Sequence, residues 1–217
     1  MNVWEEDADH WSERFRSGDW ARNGGSYQSV QFMAGAIALL RRSVLSEWLE
    51  SFAKYTITER RVSFPAISIH DYGCATGDGT AYLQTQFPVS AVTGFDWSAG
   101  AVEEARKRWP TLSFEQQDIR KADQAAELIF TSHCLEHLQD PAPTVYRLLS
   151  LCRFLVCIFP PITEAQRGGH EGALPWDAWV PHIRPRPIVQ DQFETVRRVN
   201  GEGYVEGSMV VVYQGKM

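Results

Sequence analysis

The 217 residues predict an α/β fold: a mostly parallel, seven-stranded sheet with helices on both faces and a C-terminal antiparallel hairpin. Three observations predict it. From residue 66 to 159, short apolar runs rich in β-branched and aromatic residues alternate with helical patterns. That alternation means right-handed β-α-β units and a parallel sheet covered on both faces. The first run empties into a glycine loop, Gly73, Gly77 and Gly79, with a helical pattern behind it. Near the end of the chain, two apolar runs are joined through Asn200-Gly201-Glu202-Gly203, a hairpin signal.

The elements follow in order. Residues 1–27 are polar and aromatic, and Trp11 and Phe15 fit a short helix between turn signals at Ser17-Gly18-Asp19 and Asn23-Gly24-Gly25-Ser26. From Gln28 to about Thr58, Phe32, Ala36, Leu39, Leu40, Val44, Trp48 and Phe52 recur at helical spacing. Strands are expected at Ala66–Tyr72, Ala91–Phe95, Leu112–Gln116, Leu128–Ser132 and Arg153–Phe159. Helices fall between them at Thr80–Phe87, Ala99–Trp109 and Pro141–Leu151, the first two stopped by Pro88 and Pro110. Residues 162–187 are rich in Gly, Pro and His, with one short helical piece near Trp176–Val180. Such a long connection in a compact domain is often functional. Phe193–Val199 and Tyr204–Tyr213 form the hairpin. The expected organisation is one compact domain. Residues 1–58 form a helical cap, and residues 59–217 form the core with a substrate loop at 160–187.

Composition sets bounds. A net charge of −6 argues against a nucleic-acid partner, because such a surface is usually basic. No apolar run approaches the roughly 20 residues of a membrane span. The four cysteines, at 74, 134, 152 and 157, contain no C-x-x-C pair and sit in or beside apolar segments. Reduced thiols in a cytoplasmic protein, monomer or homodimer, are the expectation.

The chemistry begins at Asp71-x-Gly73-x-x-x-Gly77-x-Gly79. A dinucleotide fingerprint begun at Gly73 needs glycine at 75 and 78, where this chain has Ala75 and Asp78. Glycines there still let a ligand approach the backbone, although a tight turn without a ligand has the same signature. Asp96 then ends the second strand, 23 residues after Gly73, and Asp118 follows the third. Three carboxylates near strand ends lie on the edge where open α/β sheets bind ligands. Asp96 could instead cap the next helix, a role open equally to Ser98.

This set resembles the class I S-adenosylmethionine-dependent methyltransferases. Leu135-Glu136-His137-Leu138, with Asp140-Pro141, closely resembles the LEHL-x-DP segment of their small-molecule members, and the resemblance spans residues 66–159. It implies a Rossmann-like methyltransferase fold and S-adenosyl-L-methionine as cofactor. Gly73, Cys74, Gly77 and Gly79 would approach its amino-acid and ribose portions, with Asp71 at the ammonium. Asp96 would take the ribose hydroxyls and Trp97 would pack on the adenine. Asp118 would accept from the adenine amine, and the Ile119 N–H would reach a ring nitrogen. Ser132, ending the fourth strand, completes the cofactor set.

The acceptor expected is a small molecule, methylated at a hydroxyl oxygen of a metabolite, sugar or natural-product intermediate. Nitrogen is the alternative, and a non-catalytic cofactor-binding scaffold is the reading outside enzymes. A histidine near neutral pKa suits the base, and His133 at the mouth is favoured, with His170 second. Trp11, Trp20, Glu171 and Trp176 are candidate substrate contacts. No metal is expected. The alternative metal set is His133, Glu136, His137 and His170, the first three placed on one face if the segment is helical. That set partly resembles metal-dependent 2′-O-methyltransferases of small RNAs, which carry Glu where this chain has His133.

Overall fold

The structure, a computed structural model, describes residues 8–53, 56–58, 61–63, 66–88, 90–160, 175–199 and 202–217. Four helices come first: α1 (Ala8–Arg16), α2 (Asp19–Arg22), α3 (Gly25–Leu40) and α4 (Ser46–Ala53). A small antiparallel pair follows, β1 (Thr56–Thr58) with β2 (Arg61–Ser63). The stretch expected to be helical from 28 to 58 is therefore two helices and a strand. The break has a local cause. The Ser43 hydroxyl donates to the Leu40 carbonyl and accepts from the Leu45 N–H, turning the chain and leaving Val44 exposed.

The main sheet is built from β3 (Ser68–Tyr72), β4 (Ala91–Asp96), β5 (Ser113–Gln116), β6 (Ala126–Ser132), β7 (Cys152–Phe159), β8 (Val189–Val199) and β9 (Glu202–Gln214). Its order is β5-β4-β3-β6-β7-β9-β8. The β3–β4, β4–β5, β3–β6 and β6–β7 pairs are parallel, and β9 joins β7 and β8 antiparallel. Helices α5 (Asp78–Gln86), α6 (Ala99–Arg108) and α7 (Pro141–Leu151) complete the crossovers. The α/β fold with a mostly parallel seven-stranded sheet and an antiparallel C-terminal hairpin is as the sequence predicts. The hairpin strands run longer than expected, and its turn at Asn200-Gly201 lies outside the described residues.

Side chains of successive strand residues alternate between two cores. On one face Ile69, Leu128, Phe130, Val156 and Val210 pack against α3 and α5 through Met33, Ala36, Ile37 and Leu83. On the other, Tyr72, Phe95, Ile129, Leu155 and Val211 pack against Val145 and Leu148 of α7 and against Trp179. Trp179 stands between two 3₁₀ turns, Trp176–Ala178 and Val180–His182, where one helical piece was expected. Pro181 lies inside the second turn and cannot extend a helical hydrogen-bond ladder. The strand order reverses between β3 and β6. That reversal opens a crevice above the carboxyl ends of the strands, the usual ligand position in such sheets.

Candidate cofactor and acceptor site

The loop after β3 is shaped by backbone constraint. Gly73 and Gly77 both have left-handed φ, +81° and +78°. A Cβ on Gly77 would lie 2.6 Å from the Phe114 ring, so glycine is required for space as well as for conformation. Ala75 takes φ +49°, an uncommon conformation for a residue with a Cβ. It points the Ala75 N–H at Asp96 Oδ2, 2.9 Å away. Asp96 Oδ1 accepts from the Ser98 N–H at 2.9 Å. Ser98, not Asp96, caps α6, accepting from the Ala101 N–H. Each Asp96 oxygen thus has one fixed backbone donor and lone pairs to spare for a ligand.

Asp71, at the tip of β3, is 1% exposed. Its Oδ2 accepts from the Thr80 hydroxyl at 2.7 Å, while Oδ1 has no hydrogen-bond partner among the described residues. Burial raises the carboxyl to about 7, against the lowering effect of Thr80 and with a further push from Asp96. Asp96 is raised to about 6, again by burial, offset by the N–H groups of Ser98, Ala75 and Trp97. Asp118 differs. Burial pushes it up, but Arg120 outweighs that and holds it below the usual range, with Arg120 Nη2 2.9 Å from Oδ2. Arg120 also lies over the Trp97 ring, 6.0 Å from its centroid.

Asp71, Gly73, Cys74, Gly79, Asp96, Trp97, Asp118, Ile119, Ser132 and His133 all line one cleft. Gly77 stands behind it as the turn that starts α5. Trp11 and Trp20 line it as well, brought there by α1 and α2. Helix α1 is docked on α6: the Ser12 and Ser98 hydroxyls are 3.0 Å apart, and a Cβ on Gly100 would lie 2.5 Å from the Ser12 carbonyl oxygen. Behind the loop, Arg108 pairs with buried Asp78 at 2.8 Å, Asp78 accepts from the Thr76 hydroxyl, and Arg108 also donates to Ser26. One guanidinium thereby ties the glycine loop to α3.

The segment after β6 corrects the helical-face expectation. His133 has φ +48° and stands outside the short 3₁₀ turn Leu135–His137, so His133, Glu136 and His137 do not share a helical face. His133 stacks on Phe32, centroids 4.0 Å apart, and His137 meets Trp11 at 6.1 Å, while Glu136 is buried. Among the described residues no three His, Cys, Asp or Glu side chains gather to hold a metal. His170 and Glu171 lie outside the described residues. Trp176 does not line the cleft, contrary to expectation. Its turn lays it, half-buried, against the core cluster around Trp179.

Sequence reasoning missed Phe15, Ser29, Phe32, Met33, Gln117, Arg120 and Leu138, all of which line the cleft. Phe32 was legible only as core, since an apolar helical stripe gives no sign of which part faces a cavity. The four cysteines are free, with burial raising all four thiols and holding Cys152 at about 12. No helix among the described residues is long and apolar enough to cross a membrane.

Comparison with known proteins bears on this arrangement. Residues 69–153 match the family described as "Methyltransferase domain". Trans-aconitate 2-methyltransferase of Escherichia coli O1:K1 is 35% identical over 119 residues, covering 49% of this chain and 47% of that protein. Its counterpart in strain UMN026 is 34% identical over 121 residues, with the same shares. The chain thus spans about half the length of these relatives. Among solved structures, the plantazolicin methyltransferase BpumL superposes with a TM-score of 0.61 at 14% identity, over 99% of this chain and 93% of that one. Magnesium protoporphyrin IX methyltransferase from Synechocystis gives 0.55 at 15%, over 97% and 99%. Residues 69–153 match a methyltransferase domain, and the chain resembles class I S-adenosylmethionine-dependent methyltransferases in that domain and in fold.

Proposed function

We propose that this chain transfers a methyl group from S-adenosyl-L-methionine to a hydroxyl oxygen of a small molecule. The observation that carries the reading is Asp71. A fully buried carboxylate with one bare oxygen, beside a second buried carboxylate on the same cleft, is costly unless a cation completes it. The cofactor ammonium is such a cation, and the residues present fit it. Asp71 would hold the ammonium and Asp96 the ribose hydroxyls. Gly73 and Ala75 would bring backbone close, and Trp97 and Ile119 would flank the adenine. Asp118 would accept from its amine while keeping Arg120.

Bound there, the cofactor supplies an electrophilic methyl group. The chain's own task is positioning and proton removal. His133, on the cleft beside the β6 terminus, is the proposed base for the acceptor hydroxyl, and its ring is oriented by the Phe32 stack. His170 is the second candidate. Residues 1–58 act as a cap, consistent with the docking of α1 on α6. Free cysteines accord with a cytoplasmic site of action. Oxygen is preferred over nitrogen as the acceptor atom because a hydroxyl needs more help from a base than an amine does, and His133 stands on the cleft to serve as one.

Calorimetry with S-adenosylhomocysteine, followed by methyl-transfer assays of wild type and His133→Ala, tests the reading. Binding with loss of transfer in the variant supports it. Retention of most activity when His133 and His170 are both replaced would favour nitrogen as acceptor, and activity surviving exhaustive chelation removes metal assistance.

A further inference from the structure

The aromatic side chains of the cleft have their own chemistry. Trp11 reaches His137, and Phe32 lies flat on His133. Met33 and Leu138 line the same cleft. Trp11 is itself braced: it stacks on Phe15 at 6.1 Å, meets Trp20 edge-on, and carries Arg14 at 5.2 Å from its ring centroid. Trp11 and Phe15 come from α1, and Phe32 comes from α3. Rings fixed in this way present flat apolar faces at little entropic cost.

The charges around the cleft point the same way. Arg120 is the one Lys or Arg of the described cleft lining, and it makes an ion pair and side-chain hydrogen bonds with Asp118. Arg14 is bonded to Asp19 at 2.9 Å. Asp71 and Asp96 share the cleft, and the whole chain carries −6. A polycarboxylate entering here would exchange water for a largely aromatic wall in which the one guanidinium among the described lining residues is already paired with Asp118.

We propose that the acceptor is an uncharged, planar ring-bearing molecule, seated between Trp11 and the Phe32–His133 stack, and not an aliphatic polyacid like that in the relatives' name. The inference rests on the methyl-transfer reading above. Ring stacking would present a ring hydroxyl at His133, the proposed base, and the apolar wall would exclude water around it.

The test titrates 2-naphthol, indole and trans-aconitate into the enzyme saturated with S-adenosylhomocysteine. Expected is binding of a ring probe at least about tenfold tighter than trans-aconitate. Trp11→Ala should weaken the ring probe by about tenfold while Trp11→Phe restores most of it, since a second aromatic face replaces the first. Equal or tighter binding of trans-aconitate overturns the proposal. So does failure of both ring probes to bind while S-adenosylhomocysteine binds. If S-adenosylhomocysteine itself does not bind, the underlying reading falls first and takes this one with it.

Discussion

Asp71→Asn separates stability from binding at one atom. In the folded chain the Asp71 carboxyl is raised from 3.8 to about 7 because it is buried without a partner for Oδ1. A raised acid binds its proton more tightly in the folded than in the unfolded chain. Its contribution is therefore fully favourable below about pH 4 and is lost as pH climbs toward 7. Three pKa units correspond to about 4 kcal/mol between those limits, an upper figure for a site that water can enter. Asparagine keeps an acceptor for the Thr80 hydroxyl but carries no charge. The variant should therefore gain on wild type by about 2–3 kcal/mol between pH 5 and pH 8. Cofactor affinity should move the other way, losing the about 1.5–3 kcal/mol of a charge-assisted hydrogen bond. Urea denaturation at both pH values, with calorimetric titration of S-adenosylhomocysteine, reads both effects. A variant whose stability difference from wild type is the same at pH 5 and 8, with unchanged affinity, would refute the reasoning.

Other substitutions test neighbouring contacts. Asp96→Ala frees the Ala75 and Ser98 N–H groups and removes the proposed ribose contact, so S-adenosylhomocysteine should bind about 1.5–3 kcal/mol more weakly by calorimetry. Gly77→Ala drives a Cβ into the Phe114 ring at a left-handed φ, and should cost about 2–3 kcal/mol in denaturant titration. Arg108→Gln breaks the tie between Asp78 and Ser26. With Arg108 half exposed, the expected loss of stability is only about 0.5–1 kcal/mol, accompanied by several-fold weaker cofactor binding as the loop loosens. For wild type, S-adenosylhomocysteine affinity should rise as pH passes through 7, because binding a cation to Asp71 releases its proton. A flat profile between pH 6 and 8 would exclude Asp71 as the ammonium partner.

One wall of the cleft was legible because its residues lie on strand tips. Alternating hydrophobicity places the strand ends to within two residues, and a carboxylate at a strand end has few positions available. Asp71, Asp96 and Asp118 therefore arrive at one cleft without any long-range information. The opposite wall was only partly legible. Trp11 and Trp20 stand out by type, but Phe32, Met33 and Ser29 belong to a helix whose apolar stripe also makes core. Only the packing of α3 against Gly79 decides which turn faces the cleft: a Cβ there would lie 3.2 Å from Met33. The break after Leu40 depended on one serine hydroxyl competing with the helix ladder, too local for periodicity to register. His133 escaped its helical assignment because a left-handed φ after β6 rotates it away from Glu136 and His137.

The central claim is that two buried carboxylates flanking a glycine loop form a site for the methyl donor. The most direct measurement is calorimetric titration of wild type and Asp71→Asn with S-adenosylhomocysteine at pH 7.5, with NAD as the comparison ligand. The account predicts binding of S-adenosylhomocysteine by wild type, at least about tenfold weaker binding by the variant, and none of NAD. Binding of NAD in preference to S-adenosylhomocysteine would contradict it.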